Sequence, residues 1–201
     1  MAGAALSKPQ RMSRELFRGF VEGRPGEEHW ELIDGVAMMM APPTLAHQRI
    51  ASNLERLLLA ALETQVPQLT AFMAIGVNVG SAVDDYDPEP DVVVVDASIE
   101  EKPDERYANR FYLIAEVVSA SDRVDVAGKR EIYKLHESCR CILTVQQERF
   151  EVRIDRRTPA GWSHTVLTRP DDLLVLADFG LQCKVADLYR GTVLLPRQSA
   201  R

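Results

Sequence analysis

The sequence is poor in the features that would place a protein outside the cell or in a membrane. It has three cysteines in 201 residues, an odd count that internal disulfides cannot use up. Cys139, Cys141 and Cys183 are therefore read as reduced thiols of a cytosolic chain. Cys139-Arg140-Cys141 lacks the nearby second Cys/His pair that a tetrahedral metal site needs. No run of about 18 apolar residues could cross a bilayer, and the N-terminal MAGAALSKPQRMSRE has no signal-peptide core. The expectation is a soluble, cytoplasmic protein with no membrane partner. A basic excess is missing as well. The formal net charge is −6, which counts against nucleic acid as a partner unless some of the carboxylates bind divalent cations. No helix-turn-helix or zinc finger stands out, so site-specific DNA reading is not expected. Nor does any repeat or low-complexity linker suggest a second domain.

What is present suits one α/β domain over residues 11–196, with tails at 1–10 and 197–201. Ser13 can cap a short helix that carries Leu16, Phe17, Phe20 and Val21 and stops at Gly23. Asp34-Gly35 stands between the apolar runs Trp30–Ile33 and Val36–Met40. That dipeptide predicts a β-hairpin, because both central residues of a type I′ turn need positive φ. Thr44 can cap a helix over about 45–64, whose stripe Ile50, Leu54, Leu57, Leu58 and Ala61 has helical spacing. Residues 70–79 read as one strand on the alternation of Ile75, Val77 and Val79. The unbroken runs Val92–Val95 and Phe111–Val118 read as strands covered on both faces. Ser119 or Ser121 can cap a helix over about 123–137. Strands follow at about 141–147, 149–155 and 162–168, with a last short helix at 184–189.

Two carboxylates interrupt this pattern. Glu116 lies inside the apolar run Leu113–Val118, and Asp91 opens the run Val92–Val95. Burying either without a partner costs several kcal/mol, of the order of the penalty for a lone buried ion. If the two strands pair antiparallel with Asp91 opposite Glu116, Asp91–Asp96 meets Phe111–Glu116 along the whole ladder. Opposed residues share a face about 5 Å apart, and a shared divalent cation would remove their repulsion. Downstream, Asp125, Lys129 and Tyr133 fall at i, i+4 and i+8 on one helical face. Either Asp125 and Lys129 form an exposed ion pair, or the helix folds back and brings Lys129 to the carboxylates, as an ammonium for phosphate or as an amine for water. His47 begins the stripe of its helix, as the edge of a site or as a structural histidine. Glu31 is a surface carboxylate of the hairpin unless the site recruits it. Tyr133 suits packing more than chemistry.

Three segments carry a family resemblance: WELIDGVAMMMAPPTLAHQRI, PDVVVVD and EVVSASDRVDVAGKREIY. With the looser DLLVLADFGLQCKVADLY, they make Trp30–Tyr189 resemble the Uma2 family (DUF820), restriction-endonuclease-like proteins of the PD-(D/E)XK nuclease superfamily. The resemblance implies a central mixed β-sheet flanked by helices, with an added N-terminal hairpin and C-terminal strands. It implies a Mg²⁺ (or Mn²⁺) site on Asp91, Glu116 and the main chain of Val117, with Glu31 and Lys129 as further catalytic positions and His47 and Tyr133 at the edge. It further implies a nucleic-acid partner, DNA first, phosphodiester hydrolysis and a homodimer. The superfamily's usual lysine, two residues after the second acid, is replaced by Val118, and Lys129 matches the lysine this family carries on the following helix. SAS after Val118 also departs from the family's commoner Ser-Pro-Ser. Three other classes compete: a catalytically inactive nuclease-fold module, a metal-dependent phosphoesterase acting on small nucleotides, and a plain interaction domain.

Overall fold

The computed structural model describes residues 11–80, 83–102, 104–119 and 123–196, with backbone alone at 123–125. Both tails, the proposed Ser121 cap and the Asp125 side chain lie outside the described residues. Helix α1 (Arg14–Glu22) leads into strands β1 (Trp30–Ile33) and β2 (Val36–Met39) and helix α2 (Leu45–Gln65). Next come β3 (Leu69–Met73), β4 (Gly76–Val77), β5 (Val92–Asp96), β6 (Tyr107–Ala108) and β7 (Phe111–Val118). Helix α3 (Arg123–Leu135) connects to β8 (Cys141–Gln146), β9 (Val152–Thr158) and β10 (Gly161–Leu167), followed by β11 (Leu173–Leu176), β12 (Leu181–Lys184) and α4 (Val185–Leu188).

Six strands make one mixed sheet in the order β10-β9-β8-β7-β5-β3. Its neighbours are antiparallel except β7 and β8, and α3 is the crossover that a parallel pair requires. All eight residues of β7 are buried, as expected of a strand covered on both faces. Helix α2 covers one face: Ile50, Leu54, Leu58 and Leu62 pack with Val92, Val94, Leu113, Leu143 and Val145. Helix α3 covers part of the other, where Tyr133 packs with Val93, Phe111, Ile114 and Ile142.

Local signals worked as their chemistry predicts. The side chains of Ser13 and Thr44 accept the N–H of Leu16 and His47 at the starts of α1 and α2. Asp34 and Gly35 have φ of 50° and 73°, and β1 pairs β2 in register from Ile33 opposite Val36. Two expectations fail. The single strand at 70–79 is broken at Ala74, whose φ of 51° turns the chain between β3 and β4. The long ladder also holds at one end only. Val92 faces Ala115 and Val94 faces Leu113, but a bulge then places Val95 opposite Phe111. Tyr112 is the extra residue, and it joins the α2-side core while Phe111 joins the α3-side core.

Candidate active site

Continuing the β5–β7 register one step past Val92–Ala115 places Asp91 across from Glu116, at the end of the sheet that the hairpin overhangs. Asp91 is at the mouth, its side chain 22% exposed. Its Oδ2 accepts the main-chain N–H of Val117 at 2.7 Å, while its Oδ1 lies 2.7 Å from His47 Nε2 at the start of α2. Thr44, which caps α2 there, donates to Gln147 beyond β8, which ties this helix end to the sheet. In a strand, the N–H and C=O of one residue point to the same neighbour. The Val117 carbonyl therefore faces the Asp91 side too.

Glu116 is buried on the α3 face. The Tyr133 hydroxyl donates to its Oε1 at 2.7 Å, and Lys129 Nζ is 3.7 Å from the same oxygen. Lys129 reaches across to Glu31 on β1, with Nζ 2.7 Å from each carboxylate oxygen. It donates a hydrogen bond to Oε1 only, which leaves buried Oε2 without one. Oε1 also accepts the main-chain N–H of Glu89 at 2.9 Å. Lys129 and Glu31 are thus interior groups, neither an exposed helix pair nor a surface carboxylate. Helix α3 does fold back, and Lys129 enters the space that the side chain of Val118 cannot serve.

The electrostatics follow from burial. Removal from water pushes the Glu116 carboxyl up to about 7; Asp91 and Glu31 push the same way, while Lys129 and the Tyr133 hydrogen bond oppose them. Burial would lower the Lys129 ammonium, but Glu116 and Glu31 beside it hold it above its ordinary value. Lys129 is therefore a cation at neutral pH. Tyr133 lies well above its ordinary value through burial and the neighbouring carboxylates, so it is a hydrogen-bond donor. Glu31, Asp91, Glu116 and Lys129 border a cavity of about 280 Å³, whose apolar wall includes Trp30, Met38, Met40 and Met73.

Three carboxylates and one ammonium leave the site short of positive charge, the chemistry a hard cation would answer. Among the described residues, however, no group of three or more His, Cys, Asp and Glu side chains converges on one point fit for a metal. Glu31 faces Lys129 and Glu89, and His47 Nε2 faces Asp91. What remains is a pair of carboxylates and a main-chain carbonyl. That fits Mg²⁺, commonly bound through one or two carboxylates with retained waters. It does not fit zinc, which takes four side-chain N, S or O ligands in structural sites and three in catalytic ones.

Sequence reasoning missed Glu89, Asp87 and Arg18. Burial pushes the Glu89 carboxyl up, and its side chain borders the same cavity. Asp87 is fully buried and takes two hydrogen bonds from Arg18, at 2.9 and 2.7 Å, which anchors α1 to the loop before Asp91. Both acids fall in the run Asp84-Asp85-Tyr86-Asp87-Pro88-Glu89, where nothing local separates the buried members from the exposed ones.

A mixed sheet with acids at one mouth and a lysine delivered from the crossover helix defines a restriction-endonuclease-like α/β protein. The chain belongs to the Uma2 family, described as "Putative restriction endonuclease", whose sequence profile matches residues 16–186. Its fold is similar to the crystal structure of "a putative nuclease belonging to DUF820" from Anabaena variabilis ATCC 29413. The TM-score is 0.67 at 17% identity, over 89% of this chain and 97% of that one. No curated protein matches the sequence significantly.

Proposed function

We propose that this protein is a Mg²⁺- or Mn²⁺-dependent endonuclease that hydrolyses phosphodiester bonds in DNA. The observation that carries the reading is the placement of Lys129, 3.7 Å from Glu116 and 2.7 Å from Glu31, where it supplies the charge that Val118 lacks. Asp91, Glu116 and the Val117 carbonyl would hold the ion. When bound, the ion would acidify a water and neutralise charge on the phosphate. His47 and the Val117 N–H fix the rotamer of Asp91. Tyr133 does the same for Glu116 through its hydroxyl. Lys129, held protonated by its neighbours, donates to a non-bridging phosphate oxygen and is not the base. Glu31 keeps Lys129 in place.

The test is calorimetry with Mg²⁺ and Mn²⁺ on wild type, Asp91→Ala and Glu116→Gln, with cleavage of labelled single- and double-stranded DNA by the same proteins. Binding and cutting that both disappear in the variants support the proposal. A folded wild type that binds neither ion and cuts nothing sinks it, and the inactive-module reading takes over. The recessed cavity of about 280 Å³ and the net charge of −6 favour one second reading, a phosphoesterase for small nucleotides. Turnover of mononucleotides but not of DNA would establish that instead.

A further inference from the structure

Beside the carboxylate site, on the same face of the sheet, lies a second pocket of about 220 Å³ that no step above uses. It shares only the walls Val118 and Val126 with the first cavity. The ladder fixes its position. Glu116 faces Thr144 on β8, and Thr144 faces Arg153 on β9. Directly opposed residues point to one face, so these three side chains form a row across neighbouring strands. With strands about 4.8 Å apart, Thr144 is one step and Arg153 two steps from Glu116. The next row pairs Val118 with Gln146.

Three of the pocket's polar groups have nothing to bond. Thr144 is 8% exposed and Gln146 5%. Among the described residues, Thr144 Oγ1, Gln146 Oε1 and Arg130 Nε are buried without a hydrogen-bond partner. Each such atom has lost its water without a replacement bond if it stays unsatisfied, so a cluster of three calls for an occupant. Local charge says which kind. Buried Asp155 is approached by Arg153 at 2.8 Å, Lys134 at 3.7 Å and Arg130 at 3.8 Å. Glu131 in turn faces Lys134 at 2.8 Å and Arg130 at 3.6 Å. Three cations around two carboxylates leave one net positive charge there, in a protein whose net charge is −6. Arg130 and Arg153 line the pocket together with Glu151, whose charge is answered by Arg149 at 2.8 Å.

We infer that this pocket is a phosphate subsite, which receives the phosphate of the nucleotide next to the one at Glu116. Arg130 and Arg153 supply the charge, and Thr144 an O–H donor. The Gln146 amide can turn either its oxygen or its nitrogen inward, so it offers a donor as well. The assignment to a neighbouring nucleotide rests on the nuclease reading; the anion subsite itself does not.

The test is binding of a short fluorescent single-stranded DNA to wild type, Thr144→Val/Gln146→Leu and Arg130→Gln, read by anisotropy across a salt series. Thermal shifts with inorganic phosphate are measured in parallel. Removal of unbonded buried polar atoms should leave Tm unchanged or raised by a few degrees. The double variant should nonetheless lose about tenfold in DNA affinity. Arg130→Gln should lower the salt slope by roughly 0.7. Binding is read in EDTA, so that the anion subsite is tested whether or not wild type holds a metal or cuts. A pocket that takes up free phosphate but not DNA would show the thermal shift alone, lost in the double variant; the anion subsite then stands and its assignment to the DNA backbone falls. If the double variant misfolds, Arg130→Gln and the phosphate shift decide. Variants that match wild type with both probes, or a wild type that responds to neither, would overturn the subsite and leave a water-filled pocket.

Discussion

On the α2 side of the central sheet, Ile50, Leu54, Leu58 and Leu62 meet Val92, Leu113, Leu143 and Val145 in one apolar cluster. On the α3 side the same strands present Glu116, Thr144, Gln146 and Asp155, all buried, to Lys129, Tyr133 and Arg130. The strands alternate side chains between these faces, so one stretch of β7 serves both. Ala115 and Val117 point to the apolar side, while Glu116 points to the charged one. The apolar side supplies stability through burial. The charged side offsets part of that stability, because burial disfavours its carboxylates and polar groups.

Breaking the charged side should produce the largest response. Lys129→Ala leaves Glu31 and Glu116 buried without their cation, and is expected to destabilise the metal-free protein by about 3–5 kcal/mol. Added Mg²⁺ should restore part of this loss in urea melts. If Mg²⁺ restores nothing, the carboxylate pair does not hold the ion. Breaking the apolar side is the control. Leu54→Ala, at a fully buried position, should cost about 2–5 kcal/mol while metal binding per folded molecule stays unchanged.

Acidity sharpens the contrast further. With its pKa pushed up to about 7, Glu116 keeps in the folded state a proton that the unfolded chain releases near 4.5. Stability of the metal-free protein should therefore fall as pH rises from about 4.5 to about 7, by roughly 1–3 kcal/mol. Glu116→Gln should remove this slope in EDTA; a slope that persists would place the titration elsewhere. The smallest change is Tyr133→Phe. It deletes the 2.7 Å hydrogen bond to Glu116 and should cost about 1–2 kcal/mol. Since that bond holds the Glu116 carboxyl down, the pH-dependent fall should also move upward, which a packing defect alone would not do.

Much of the site was legible because carboxylates in apolar runs are conspicuous. Asp91 and Glu116 broke a Val/Ile/Leu pattern, and Lys129 and Tyr133 shared a helical face. Glu31 could be singled out only through the family resemblance, since nothing in a four-residue strand tells whether its acid is covered. It is covered because α3 lies over β1 at Lys129, a contact 98 residues apart in sequence. Thr144 and Gln146 alternate with apolar residues in β8 and read as ordinary strand residues. Their lack of partners emerges only once β9 and α3 are packed beside them.

By itself, then, the sequence determined the hairpin at Asp34-Gly35, the capped starts of α1 and α2, and the buried strands. Each of these rests on local sterics, periodicity or the two-residue repeat of a strand, which act over a few neighbours. Tertiary structure alone decided the break at Ala74, the bulge that releases Tyr112, the pairing of Glu31 with Lys129, and the second pocket. These depend on which distant segments exclude water from a given side chain, and solvation is a property of the packed whole.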